Sequence, residues 1–224
     1  MQDKVFEQVE GNAWFRRNIS ALMNKNTDDF PSFLVDLLDN KNEITSIIEL
    51  GCANGWRLAH LKSILKQDLR LVGIDCSSEA ISDGKKRFSG IELHCGLISE
   101  VPLKGAFDLV IVNFVLSWVG RDLLIKSITE IDRLTKDGGY LIIGDFLPDH
   151  EQRRRYHHNL EEEIYTYKQD YGKLFEATGI YKEIARLTYN HDQKQIGLQK
   201  CNSNNRCVCI LLEKSLQQFY PVVE

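Results

Sequence analysis

The feature that most constrains this chain is the stretch Ile47-Ile48-Glu49-Leu50-Gly51-Cys52-Ala53-Asn54-Gly55. An apolar run ends in an acid, turns through two glycines and enters an amphipathic helix, the pattern of a strand-to-helix turn in an α/β sheet. Glycine at such a turn reaches backbone conformations that a Cβ forbids and lets a ligand come close to the main chain. Twenty residues beyond Gly55, a second apolar run, Leu71-Val72-Gly73-Ile74, ends in another acid, Asp75. An acid at the tip of the neighbouring strand is placed to accept both hydroxyls of a ribose. Together these features predict a nucleoside-bearing ligand lying across the carboxyl ends of a parallel sheet.

What the turn lacks narrows the ligand. A dinucleotide fingerprint needs Gly at its third and sixth positions, occupied here by Ala53 and Trp56. A phosphate-cradling loop needs Gly-Lys-Ser/Thr, and Gly55 is followed by Trp56-Arg57. A ligand with ribose but no pyrophosphate fits better. Glu49-Leu50-Gly51-Cys52-Ala53-Asn54-Gly55, with Asp75 beyond, resembles the first two cofactor motifs of class I S-adenosylmethionine-dependent methyltransferases, and the resemblance covers roughly residues 45–147. It implies S-adenosyl-L-methionine as cofactor and methyl transfer to a small-molecule acceptor. A module that binds the cofactor without catalysis and a nicotinamide-dependent oxidoreductase stand as alternatives, the latter disfavoured by Ala53 and Trp56.

At 224 residues and 43% hydrophobic content, the chain suits one α/β domain with small additions. Periodicity assigns residues 4–40 to helix with a break near 28–31, the second part starting at Ser32 after Pro31. Strands at 46–49, 70–75, 91–95, 107–113 and 140–146 then alternate with helices at 56–66, 77–88 and 121–136, the second of them capped by Ser77 or Ser78. This βαβ rhythm predicts a parallel sheet with helices on both faces. Residues 152–168 show no clean period, 170–178 read as a helix ending at Gly179, and 183–189 with 206–212 read as an antiparallel hairpin. The expected whole is a Rossmann-like, doubly wound, mostly parallel seven-stranded sheet with an antiparallel C-terminal hairpin and an N-terminal helical cap. One domain spans 1–224: cap 1–40, cofactor core 45–147, substrate lid and hairpin 148–224.

The net charge of −4 gives no general attraction to nucleic acid or to an anionic membrane, and no apolar stretch has transmembrane length. The N-terminus lacks the apolar core of a signal peptide, and six cysteines without disulfide-framework spacing suit a reducing cytoplasm. The sequence leaves the oligomeric state open.

The resemblance also assigns residues. Gly51, Cys52, Ala53 and Gly55 are expected to wrap the methionine part of the cofactor, with Glu49 facing its ammonium directly or through water. Asp75, followed by Cys76, is expected at the ribose. Many relatives carry an Asp at the adenine where this chain has Leu97, so backbone groups of Leu97 and Ile98 are expected at the ring edge, with Ser99 as a polar neighbour. Asn113 and Phe114 follow the fourth strand, where relatives border both cofactor and acceptor; Trp118 is expected in core packing. Trp14 and Arg17 either reach the cofactor, Arg17 pairing with its carboxylate, or dock the N-terminal helix on the core.

Residues 145–171 hold Asp145, Arg153-Arg154-Arg155, Tyr156, His157, His158, Tyr165, Tyr167 and Tyr171. They are expected to form the acceptor side, with His157 or His158 as base and Tyr156 beside them, since imidazole titrates near neutrality. The arginines suit an acidic acceptor. The Trp14-Phe15-Arg16-Arg17-Asn18 opening and the Tyr156-His157-His158 segment resemble small bacterial methyltransferases of nonulosonic-acid or surface-sugar pathways. Cys201, Cys207 and Cys209 with His191 contain no Cys-x-x-Cys pair; they are assigned as structural thiols, and no metal is expected.

Overall fold

The computed structural model describes residues 2–23, 29–159, 161–197, 202–220 and 222. Gln2–Val5 (α1), a π-helical turn Phe6–Glu10 and Gly11–Met23 (α2) run on as one N-terminal helical segment. Phe30–Asp36 (α3) follows. Its cap is Asp29 rather than the expected Ser32: the Asp29 Oδ2 accepts from the Ser32 N–H at 3.1 Å, and Pro31 sits in the first turn, where a missing N–H costs nothing.

Ser46–Leu50 (β1), Trp56–Leu65 (α4), Arg70–Asp75 (β2), Ser78–Arg87 (α5), Glu92–Cys95 (β3) and Phe107–Asn113 (β4) then alternate as the sequence predicts. Ser77 caps α5, its hydroxyl accepting from the Ala80 N–H at 3.1 Å. Leu124–Leu134 (α6) is shorter than expected at both ends. Before it, the Arg121 guanidinium donates to the carbonyls of Leu116 (2.9 Å) and Val119 (2.7 Å) and holds that stretch in a turn. After it, Thr135 pairs with Phe107, so Lys136 belongs to Thr135–Phe146 (β5) and the Asp137-Gly138-Gly139 turn lies inside that strand.

The aperiodic stretch is a two-stranded antiparallel hairpin, Gln152–Arg155 (β6) with Tyr165–Lys168 (β7). Gly172–Glu176 (α7), Tyr181–Asn190 (β8) and Arg206–Lys214 (β9) complete the chain's elements. The main sheet runs β3-β2-β1-β4-β5-β9-β8. β1 to β5 pair in parallel; β9 is antiparallel to β5 and β8 to β9. That is the expected seven-stranded sheet closed by an antiparallel hairpin.

Alternate strand residues feed two cores. Ile48, Leu50, Val72, Val110, Val112, Leu141 and Ile143 pack with α6 and α7 on one face. Ile47, Leu71, Leu109, Ile111 and Ile142 pack with α3 and α4 on the other. β4 is therefore apolar without alternation, because both its faces are covered. No helix among the described residues is long and apolar enough to cross a membrane.

Candidate functional site

The strand order reverses between β1 and β4: β2 and β3 lie on one side, β5 on the other. Crossovers leave the sheet in opposite directions there, and a crevice opens at the carboxyl ends of the strands. A cleft of about 1020 Å³, mouth included, occupies that place. Gly51, Cys52 and Ala53 after β1 line it, with Asp75 and Cys76 at β2, Gly96 to Ser99 after β3, and Asn113, Phe114 and Val115 at β4. The N-terminal segment supplies Asp3, Phe6, Gly11, Trp14 and Leu22, and the turn before α6 supplies Trp118 and Val119.

The turn after β1 is folded tightly onto β2. The N–H groups of Gly51 and Cys52 both donate to the Ile74 carbonyl, at 2.7 and 3.0 Å. Gly51 has φ +79°, and a Cβ there would lie 2.1 Å from Val115 Cγ2. Ala53, at φ +50°, is a non-glycine residue in the left-handed region, and its N–H is held by Asp75 Oδ2 at 2.8 Å. The other Asp75 oxygen accepts from the Ser77 N–H at 2.8 Å. A carboxylate oxygen has two acceptor lobes. Each Asp75 oxygen therefore retains one, the pair a ribose diol requires. Burial raises the Asp75 carboxyl above its ordinary value, and the Ser77 and Ala53 N–H groups partly oppose that.

The residues fit S-adenosylmethionine in two further respects. Gly96 lines the cleft and a Cβ there would meet nothing within 4 Å, so space for a ring lies beside Leu97, Ile98 and Ser99. Glu49, 1% exposed, lines the cleft on the β1 side. Its Oε1 accepts from Arg57 Nη1, and Arg57 binds Asp29 on its other edge, Nε to Oδ2 at 2.9 Å and Nη2 to Oδ1 at 3.0 Å. One guanidinium is thus shared by two buried carboxylates, a setting that suits a cationic group of the cofactor. Arg57 is 3% exposed and keeps its proton at any working pH, since Asp29 and Glu49 outweigh its burial. Sequence reasoning missed this residue. Its signal was an arginine one position into a helix whose other inward positions are apolar.

Glu49, Gly51, Cys52, Ala53, Asp75, Cys76, Leu97, Ile98, Asn113, Phe114 and Trp14 all line the cleft. Five expected residues do not. Gly55 instead caps α4, at φ +80° just before its first residue. Arg17 is held away by Glu10, a 2%-exposed carboxylate that needs a cation. Tyr156 donates to that same carboxylate at 2.9 Å and accepts from Arg17 Nη2 at 3.0 Å. His157 and His158 are exposed in the turn between β6 and β7, with ring centroids 3.8 Å apart.

The hairpin expected to form a basic lid lies as follows. β6 and its arginines are largely exposed, while the hairpin grips the N-terminal segment: Gln2 donates to the Tyr165 carbonyl (3.1 Å) and accepts its N–H (3.1 Å). Trp118, expected in packing, packs on Phe6 and also lines the cleft. Cys207 and Cys209 lie in the core face with Tyr189, His191 packs edge-on against Phe114, and Cys201 lies outside the described residues.

A family model described as a methyltransferase domain matches residues 41–211. The chain belongs to that family. Among curated relatives, it is 27% identical over 147 residues to an uncharacterized 37.1 kDa protein in transposon TN4556 of Streptomyces fradiae, covering 60% of this chain and 42% of that one. It is 29% identical over 142 residues to carboxy-S-adenosyl-L-methionine synthase of Helicobacter pylori, covering 61% and 57%. The chain thus spans about half the length of the curated relatives it matches. Among solved structures, the 1,6-didemethyltoxoflavin-N1-methyltransferase of Burkholderia thailandensis superposes with TM-score 0.67 at 12% identity, covering 95% of this chain and 89% of that one. N-methyltransferase NodS of Bradyrhizobium japonicum gives 0.58 at 20%, covering 83% and 93%. These likenesses carry the fold. S-adenosylmethionine, the cofactor expected from the sequence, stands on the family and on the fit of the cleft residues.

Proposed function

We propose that this chain transfers the methyl group of S-adenosylmethionine to a small-molecule acceptor. The observation that carries the reading is Asp75, fixed by two backbone N–H groups at the switch-point cleft with one lone pair left on each oxygen. The cofactor supplies a methyl group already activated on a sulfonium, so the protein's contribution is to bind, align and exclude water. Asp75 would hold the ribose, Glu49, oriented by Arg57, the ammonium, and Leu97 and Ile98 the adenine. Asn113 and Phe114 line the same cleft at the end of β4. The five described cysteines are all free thiols, which suits the reducing cytoplasm inferred from the sequence.

Calorimetry tests the reading. The protein is expected to bind S-adenosylhomocysteine and not NAD. Hydrogen bonds to a charged group are worth about 1.5–3 kcal/mol, so Asp75→Ala should weaken binding about 10-fold or more with the circular-dichroism spectrum retained. Binding of NAD alone, or an unchanged affinity in the variant, would overturn it.

A further inference from the structure

The part of the cleft left over by the cofactor residues is bounded by the N-terminal segment and the turn before α6. Three aromatic residues, Phe6, Trp14 and Trp118, line it there, beside Leu22 and Val119. Phe6 and Trp118 stack with centroids 5.7 Å apart and planes at 18°, and Trp14 meets Trp118 edge-on at 6.1 Å, so the three rings brace one another. The acid among them is Asp3, which lines the cleft at 7% exposure. Both its oxygens share the Gly120 N–H, at 3.1 and 3.2 Å, and no side-chain cation meets it among the described residues. A carboxylate this buried is ordinarily matched by a cation or by several donors. Burial, and the Asp122 carboxylate beyond Gly120, push its carboxyl upward; the Gly120 N–H, its own N–H and the charge of the N-terminus only partly oppose this.

The rest of the lining has the same sign. Among the described residues its acids are Asp3, Glu49 and Asp75, and its one guanidinium, Arg57, is already shared between Asp29 and Glu49. An anion entering here would meet acids and aromatic faces. A cation would meet a desolvated carboxylate and the negative faces of the rings.

We infer that the methyl acceptor is an aromatic small molecule bearing a positively charged amine, the amine held by Asp3 and the ring by Phe6, Trp14 and Trp118. This rests on the methyl-transfer reading and assigns its acceptor class. It also replaces the acidic acceptor suggested by the arginine run, whose residues lie outside the cleft.

The test is binding of simple probes, read by thermal unfolding with S-adenosylhomocysteine at saturation. Tyramine and tryptamine are expected to raise the unfolding midpoint, and the corresponding phenol- and indole-propionates, with the same rings and a carboxylate, are not. Asp3→Asn keeps an oxygen for the Gly120 N–H and removes the charge. It should raise the amine half-saturation concentration about 10-fold or more while S-adenosylhomocysteine affinity stays unchanged. No response to either amine, an equal response to the propionates, or an unaltered amine response in Asp3→Asn overturns the inference. The comparison of amines with propionates on the unmutated protein stands even if the variant fails to fold. Failure of the unmutated protein to bind S-adenosylhomocysteine would instead overturn the methyl-transfer reading.

Discussion

Asp145 sits at the carboxyl end of β5, 1% exposed, and fastens the cleft turn: its Oδ2 accepts from the Ser117 N–H at 3.0 Å and its Oδ1 from the Phe146 N–H at 2.8 Å. Burial pushes its carboxyl up to about 6, the two N–H groups and the Lys168 charge only partly opposing this. Between the ordinary value of 3.8 and about 6 the folded protein holds a proton that the unfolded chain has released. Stability contributed by the protonated form is therefore complete below about pH 4 and is lost as pH rises through about 6. A shift of about two units corresponds to roughly 3 kcal/mol. Asp145→Asn cannot ionise and has no such dependence, although one of its two N–H partners then faces an amide NH₂ at every pH. Urea unfolding of both proteins at several pH values from 4 to 8 isolates the effect. The stability of the unmutated protein relative to the variant should fall by about 3 kcal/mol across that range, most of it before pH 7. A difference flat to within about 0.5 kcal/mol would refute the assignment of a buried, ionising Asp145.

Two further outcomes test the packing behind the cleft. Arg57→Met leaves two buried carboxylates without their shared cation and should cost about 3–5 kcal/mol in urea unfolding; a loss below about 1 kcal/mol would show that the ion-pair cluster is not buried as described. Gly84→Ala should gain about 1 kcal/mol of helix propensity, yet its Cβ would lie 2.2 Å from the Asn54 carbonyl oxygen in the cofactor turn, so a net loss of about 1–3 kcal/mol is expected; a raised unfolding midpoint would contradict it.

The residues that line the cleft at β1 and β2 were legible because their information is local. Gly51, Ala53 and Asp75 are placed by a strand, a turn and the next strand in parallel register, and β1 and β2 are recognisable from their own residues. Periodicity likewise marks α5 and β4, where burial on one or both faces writes itself into the spacing of apolar residues. Charged residues carry no such mark. Whether Arg17 meets a ligand or Glu10 depends on which buried carboxylate reaches it first, and in the folded chain Glu10 and Tyr156 do.

The sequence by itself determined the α/β class, the seven strands of the main sheet, the acid at the tip of β2 and the cofactor. Each of these follows from short-range spacing and the pleat or helix period. Only the tertiary structure decided how the charged and polar residues pair. Asp3 bonds Gly120 across 117 positions, Gln2 bonds Tyr165 across 163, and Arg57 finds Asp29 across 28. Such pairings form because burying a charge or a backbone group without a partner costs several kcal/mol, and the partner is whichever group the packed elements bring within reach.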